Sequence, residues 1–117
     1  MAGRQDLKKR TSDFALRIIH LYAALPSHTV AQVLGRQVLR SGTSVGAHYR
    51  EAFRAKSNAD FINKIEGALQ ELEETEYWLD LLERADVFSA EKLSDFRTET
   101  NELLSIFVSI AKSTKTR

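Results

Sequence analysis

Residues 40–61, "RSGTSVGAHYREAFRAKSNADF", concentrate the side chains of this 117-residue chain that could do chemistry, with Arg40, Ser44, His48 and Glu51 at spacings of four, four and three. On a helix turning about 100° per residue these positions fall within about 80° of one another and form a single polar ladder. His48 and Glu51 could exchange protons as an acid–base pair, or the ladder could be a hydrogen-bonded network along an edge where helices pack. The second reading is favoured, because no nucleophile elsewhere in the chain is paired with a group that would orient it. Nor is "GTSVG" a phosphate-binding loop: no strand-like segment precedes it and no Gly-Lys-Ser/Thr follows.

Metal chemistry has equally little to work with. Helical proteins that hold two irons use paired Glu-x-x-His motifs and two further glutamates on facing helices. Here His48-x-x-Glu51 runs in the reverse order, and His20 and His28 lack suitably spaced carboxylates. The acidic residues Glu71, Glu73, Glu74, Glu76, Asp80 and Glu83 spread around one helix and read as a solvated surface. Cysteine is absent, which excludes disulfides, thiolate metal sites and thiol nucleophiles. The expectation is therefore no enzyme, no cofactor and no metal.

The elements that must position these residues are helical. With 43% hydrophobic residues the chain suffices for one domain that buries about two thirds of its unfolded surface. No apolar run approaches the roughly 18 residues of a membrane span, and "MAGRQDLKKR" lacks a following apolar signal segment, so a cytoplasmic protein without membrane contact is expected. Apolar periodicity predicts helices over about 11–25, 29–55, 58–84 and 90–112, with Thr29, Ser57 and Ser89 as N-caps. Their core stripes are Phe14, Ile18, Leu21, Tyr22 and Leu25; Val30, Leu34, Val38, Ser41, Val45, Tyr49 and Ala52; Phe61, Ile65, Ala68, Leu69, Leu72, Leu79 and Leu82; and Leu93, Phe96, Thr100, Leu103, Phe107 and Ile110. Short connections make sequential helices antiparallel, so the fold class is all-α, a single-domain up-down-up-down four-helix bundle.

The second helix carries more than a core stripe. Gly35, Gly42 and Gly46 share an adjacent face, with Leu39 and Phe53 alongside. Each interior glycine costs up to about 1 kcal/mol relative to alanine, so three on one stripe imply close approach by another helix and a candidate interface edge. The competing possibility is that "RSGTS" breaks the helix in two. On the third helix Lys64, Glu71, Trp78 and Leu82 form a second face with Glu74 nearby. Arg40 is expected to pair with Glu71 or Glu74, which would specify register more than add stability.

"RSGTSVGAHYREA", "KSNADFINKIEGAL" and "ELEETEYWLDLL" resemble the bacterial four-helix-bundle proteins encoded within intervening sequences of large-subunit ribosomal RNA genes. The likeness runs from about residue 12 to 110 and is strongest between Arg40 and Leu82. Matching positions are Arg40, Ser41, Ser44, Glu51, Ser57, Phe61, Glu71, Glu74, Tyr77 and Trp78. His48 departs from the pattern, where asparagine is the commoner residue, and that weakens an acid–base role. The resemblance implies a ring-shaped homo-oligomer, a homopentamer. These proteins are also similar to accessory proteins of diversity-generating retroelements, which implies RNA and a reverse transcriptase, or another protein, as possible partners.

Charge adds a surface of its own. The net charge is +1, but residues 1–60 carry ten Lys/Arg against four Asp/Glu and residues 61–117 carry seven against twelve. In an up-down-up-down bundle both termini, the end of the second helix and the start of the third share one pole. That pole gathers Arg4, Lys8, Lys9, Arg10, Arg50, Arg54, Lys56, Lys64, Lys112, Lys115 and Arg117. A ring would present several copies together, a platform suited to the phosphate backbone of RNA or DNA. Few exposed aromatics are expected there, so backbone or shape recognition is favoured over single-stranded bases. The alternative is a scaffold whose basic and acidic halves pair head to tail between copies and close into a ring, with protein partners only.

Overall fold

The computed structural model describes residues 7–116; Arg4 and Arg117 of the basic pole lie outside the described residues. Four helices follow one another: α1 Leu7–Ala23, α2 Thr29–Ala52, α3 Asn58–Arg84 and α4 Ala90–Lys115. They form a rod of 48 × 23 × 21 Å, and no strand occurs among the described residues. The links 24–28, 53–57 and 85–89 are short enough to force antiparallel neighbours.

Local chemistry sets the helix ends. Ser57 and Ser89 cap α3 and α4 as expected, their hydroxyl oxygens accepting the Asp60 and Lys92 backbone N–H at 3.1 Å each. At α2 the cap is His28 rather than Thr29: its Nδ1 accepts the Ala31 N–H at 3.2 Å, so Thr29 becomes the first helical residue. α2 ends at Ala52, three residues before the expected boundary, where Phe53, Arg54 and Ala55 donate to carbonyls three residues back and tighten the last turn. α3 ends in a Schellman turn. Val87 N–H reaches Leu82 O at 2.9 Å and Asp86 N–H reaches Glu83 O at 3.0 Å, with Asp86 at φ 58°.

α1 begins at Leu7, earlier than its periodicity suggested, because Leu7 and Thr11 extend the buried stripe of Phe14, Ile18 and Leu21 backwards. It stops at Ala23, two residues short of the expected end, with Leu25 N–H held by Tyr22 O in the closing turn. α4 likewise runs on to Lys115, since Ala111 and Thr114 remain buried. The core is the union of the four stripes, from Leu7, Phe14 and Ile18 through Val38, Val45, Ile65, Leu72 and Leu79 to Leu103 and Phe107. Val30 is a correction: it is 54% exposed, because the buried stripe of α2 enters through Ala31, Gly35 and Val38 and leaves Val30 beside it.

α2 is one unbroken helix through Gly42. Its glycine stripe is filled by α1 of the same chain: a Cβ at Gly42 would lie 2.9 Å from Ile18, while Gly35 faces Tyr22 and Leu25 and Gly46 faces Thr11. Gly35, Gly42 and Gly46, expected as an interface edge, are thus buried by an intrachain contact and are closed to a second copy. The other helix pairs are laced by arginines. Arg40 joins α2 to Glu71 and Glu74 of α3; Arg97 joins α4 to Glu76 and Glu83 of α3; Arg10 joins α1 to Glu99 and Glu102 of α4. Backbones come close between α1 and α2, α2 and α3, and α3 and α4, whereas α1 and α4 are closed mainly by side chains.

Candidate nucleic-acid interface

The polar ladder on α2 sits along the α2–α3 seam, but its members have separate partners. Arg40 Nη1 donates to Glu71 Oε1 at 3.2 Å and its Nη2 to Glu74, so both expected carboxylates are engaged at once. The hydrogen bond to Glu74, foremost, raises the guanidinium above its ordinary basicity. Ser44 donates to the Arg40 carbonyl at 2.7 Å, inside its own helix. His48 Nε2 lies 3.6 Å from Glu71 Oε2, and Glu51 forms an ion pair with Lys64 at 3.3 Å. His48 and Glu51 therefore face different groups of α3, an arrangement that locks register. Trp78 is half-buried on the same seam, its ring 5.0 Å from that of exposed Tyr77.

Sequence reasoning missed the residue that lets this seam close. A Cβ at Gly67 would lie 2.9 Å from His48 Nδ1, an atom that is buried with no hydrogen-bond partner among the described residues. The signal was present as an isolated glycine inside a strongly periodic helix.

All four helices contribute to the basic pole. Leu7, Ala52, Ser57 and Ile110 line one pocket of about 480 Å³ there, with Tyr49 and Phe61 in its wall and Lys56 at its edge. The pole is less positive than composition suggests. Lys9 pairs with Asp13 at 2.8 Å, Arg10 with Glu99 and Glu102 at 2.7 and 2.9 Å, Lys64 with Glu51, and Lys115 with Glu66 at 2.7 Å. The Arg10 guanidinium is held well above its ordinary basicity, chiefly by its hydrogen bond to Glu99.

Lys8, Arg50, Arg54, Lys56 and Lys112 have no carboxylate partner among the described residues. Arg50 instead donates to Ser12 at 3.2 Å, and Lys8 Nζ stands 4.6 Å over the Phe53 ring. Phe53, the α2 C-cap with helical backbone angles, continues the glycine side of the helix toward α1, and at 58% exposure it places an open aromatic ring among these cations.

Among the described residues no helix is long and apolar enough to cross a membrane. No three His, Asp or Glu side chains among them converge as a metal-holding set.

The helices and this pole define an antiparallel four-helix bundle with a cationic end. Residues 4–109 match the family described as 23S rRNA-intervening sequence protein, and the chain belongs to that family. It is similar to a solved structure from Bacteroides thetaiotaomicron VPI-5482, described as a protein with unknown function from the S23 ribosomal protein family. The two share 44% sequence identity and superpose with a TM-score of 0.84 over 90% of this chain and 97% of that one. No curated protein matches the chain.

Proposed function

We propose that this protein is a non-enzymatic, oligomeric accessory protein that binds the sugar–phosphate backbone of RNA or DNA through its basic pole. The observation that carries this reading is the set of five cations, Lys8, Arg50, Arg54, Lys56 and Lys112, that have no carboxylate partner among the described residues at one end of the rod. Such charges bind phosphate by releasing counterions, so affinity must fall linearly with salt on a log–log scale. The test is fluorescence anisotropy with an RNA duplex across a salt series. Replacing Arg50, Arg54 and Lys56 by glutamine should weaken binding and reduce the salt slope by about 2 to 3. Retention that is unchanged by those substitutions, or that ignores salt, overturns the reading.

The scaffold alternative needs basic and acidic halves free to meet between copies. Arg10 with Glu99 and Glu102, and Arg40 with Glu71 and Glu74, already draw on both halves within one chain. Self-association belongs to the proposal through apolar rather than charged surface. Leu16 and Ile19 are exposed on α1, while Val33 and Tyr77 are exposed beside the α2–α3 seam. Two unlike patches suit a head-to-tail contact that closes into a ring, a homopentamer on the family resemblance. Sedimentation as a monomer at micromolar concentration would remove this part of the proposal.

A further inference from the structure

We infer that Phe53, flanked by Lys8, Arg50 and Arg54, is a stacking platform for an unpaired base of single-stranded nucleic acid; this rests on the proposed nucleic-acid reading and deepens it. The platform lies where α1 begins and α2 ends. Lys8, Ala47, Arg50, Glu51, Phe53 and Arg54 line a shallow groove of about 420 Å³ there. Arg50 and Arg54, three residues before Phe53 and one after it, both line this groove, and Arg50 donates to Ser12 at 3.2 Å. The small side chain of Ala47, one turn before Arg50, leaves the groove open. Glu51, its one carboxylate, is held by Lys64 at 3.3 Å.

The ring is braced from behind. Tyr49 meets Phe53 edge to face at 5.0 Å and 85°, and Tyr49 in turn meets the fully buried Phe107 at 5.5 Å and 84°. A fixed, exposed aromatic in a groove lined by cations has the two components of single-strand recognition: a π face for any base and positive charge for the phosphates beside it. Lys8 covers the ring at 4.6 Å. An exposed cation–π contact of that kind is weaker than base–aromatic stacking, and lysine's flexible stem lets its ammonium swing to a phosphate as the base takes its place. Duplex RNA keeps its bases stacked on one another and gains nothing from the ring.

The experiment compares a fluorescent dodecameric oligouridylate with a duplex RNA of the same length, using the full chain and its Phe53→Ala, Phe53→Leu and Phe53→Trp variants. Circular dichroism melts and sedimentation are run in parallel. Phe53→Ala and Phe53→Leu should weaken single-strand binding by about 5- to 100-fold, leaving duplex binding and the salt slope unchanged. Phe53→Trp should bind at least as tightly as the parent. Equal single-strand affinity for parent and Phe53→Leu, with duplex binding intact, overturns the platform while the basic-pole reading stands. Loss of both ligands from the Arg50/Arg54/Lys56 variant alone supports the pole and says the ring is idle. No binding of either ligand to the parent overturns both. If Phe53→Leu instead changes the sedimentation coefficient, and single-strand affinity follows assembly rather than the ring, Phe53 is a contact between copies and the inference fails.

Discussion

Ser41 and Thr75 meet in the α2–α3 seam with their hydroxyl oxygens 2.8 Å apart, both side chains fully buried. Thr75 donates its proton to the Glu71 carbonyl at 2.8 Å, so Ser41 is the donor of the shared bond. A relay of this kind leaves a buried hydroxyl stranded when its acceptor is removed. Thr75→Val should therefore cost about 1–3 kcal/mol, and Ser41→Ala less. Urea denaturation of both single variants and the Ser41→Ala/Thr75→Val pair should give a double-variant loss smaller than the sum; strict additivity would show that the hydroxyls do not cooperate.

Two of the close-approach glycines, Gly42 and Gly67, should respond in opposite ways to alanine. At Gly42 the added methyl meets Ile18, a β-branched side chain with 0% exposure and no room to yield. The overpacking, about 1–3 kcal/mol, outweighs the helix propensity gained, about 1 kcal/mol, and Gly42→Ala should lower the urea midpoint. At Gly67 the obstacle is the end of the His48 ring, which can rotate away. Gly67→Ala should be neutral or raise the midpoint.

Asp86 occupies the left-handed position of the turn after α3 at φ 58°, where a side chain costs about 1 kcal/mol that glycine avoids. Asp86→Gly should raise stability by about 0.5–1 kcal/mol, and Asp86→Ala should not. A calorimetric scan in which both variants melt together would contradict the turn assignment.

Arg10 holds α1 to α4 through three short hydrogen bonds to Glu99 and Glu102. Arg10 and Glu99 are both partly buried and joined by two hydrogen bonds, so Arg10→Gln should cost about 1–2 kcal/mol, more than an ordinary surface pair. The sign of its pH dependence follows from the raised basicity of the folded-state guanidinium. A raised folded value supplies stability that is complete below the unfolded guanidinium range and is lost only above it. The penalty should be the same at neutral pH and at a pH of about 10. Hydrogen exchange should locate the loosened amides in α1, before any in α3.

Much of the fold was legible in the chain because one periodicity served both purposes. Phe14, Ile18, Val38, Val45, Leu72 and Phe107 are spaced for a helix and buried by a bundle, so local and global demands agree. The Arg40 pairings were legible for the same reason, since a wheel places both glutamates on the facing edge. What escaped was set by register rather than by type. Val30 has the period of a core residue, but Ala31 takes the buried place in the first turn of α2. The glycine stripe announced a close neighbour without saying that α1 would be it, and Gly67 passed unnoticed because His48 is distant in sequence. At the pole, lysines and arginines could be counted, but Lys115 could not be matched to Glu66, nor Arg10 to Glu99, without coordinates. Phe53 was legible beside the glycine stripe, but not as an exposed ring.

Close backbone approach is concentrated among the described residues in helices that are consecutive in the chain. Such local wiring lets the polypeptide assemble hairpin by hairpin as it leaves the ribosome, with little loop entropy lost before each docking step, and topologies of this sort fold in microseconds to milliseconds. Only the last step, when Arg10 finds Glu99 and Glu102, joins distant stretches of sequence. The rod can therefore be three-quarters built before its final stave is latched.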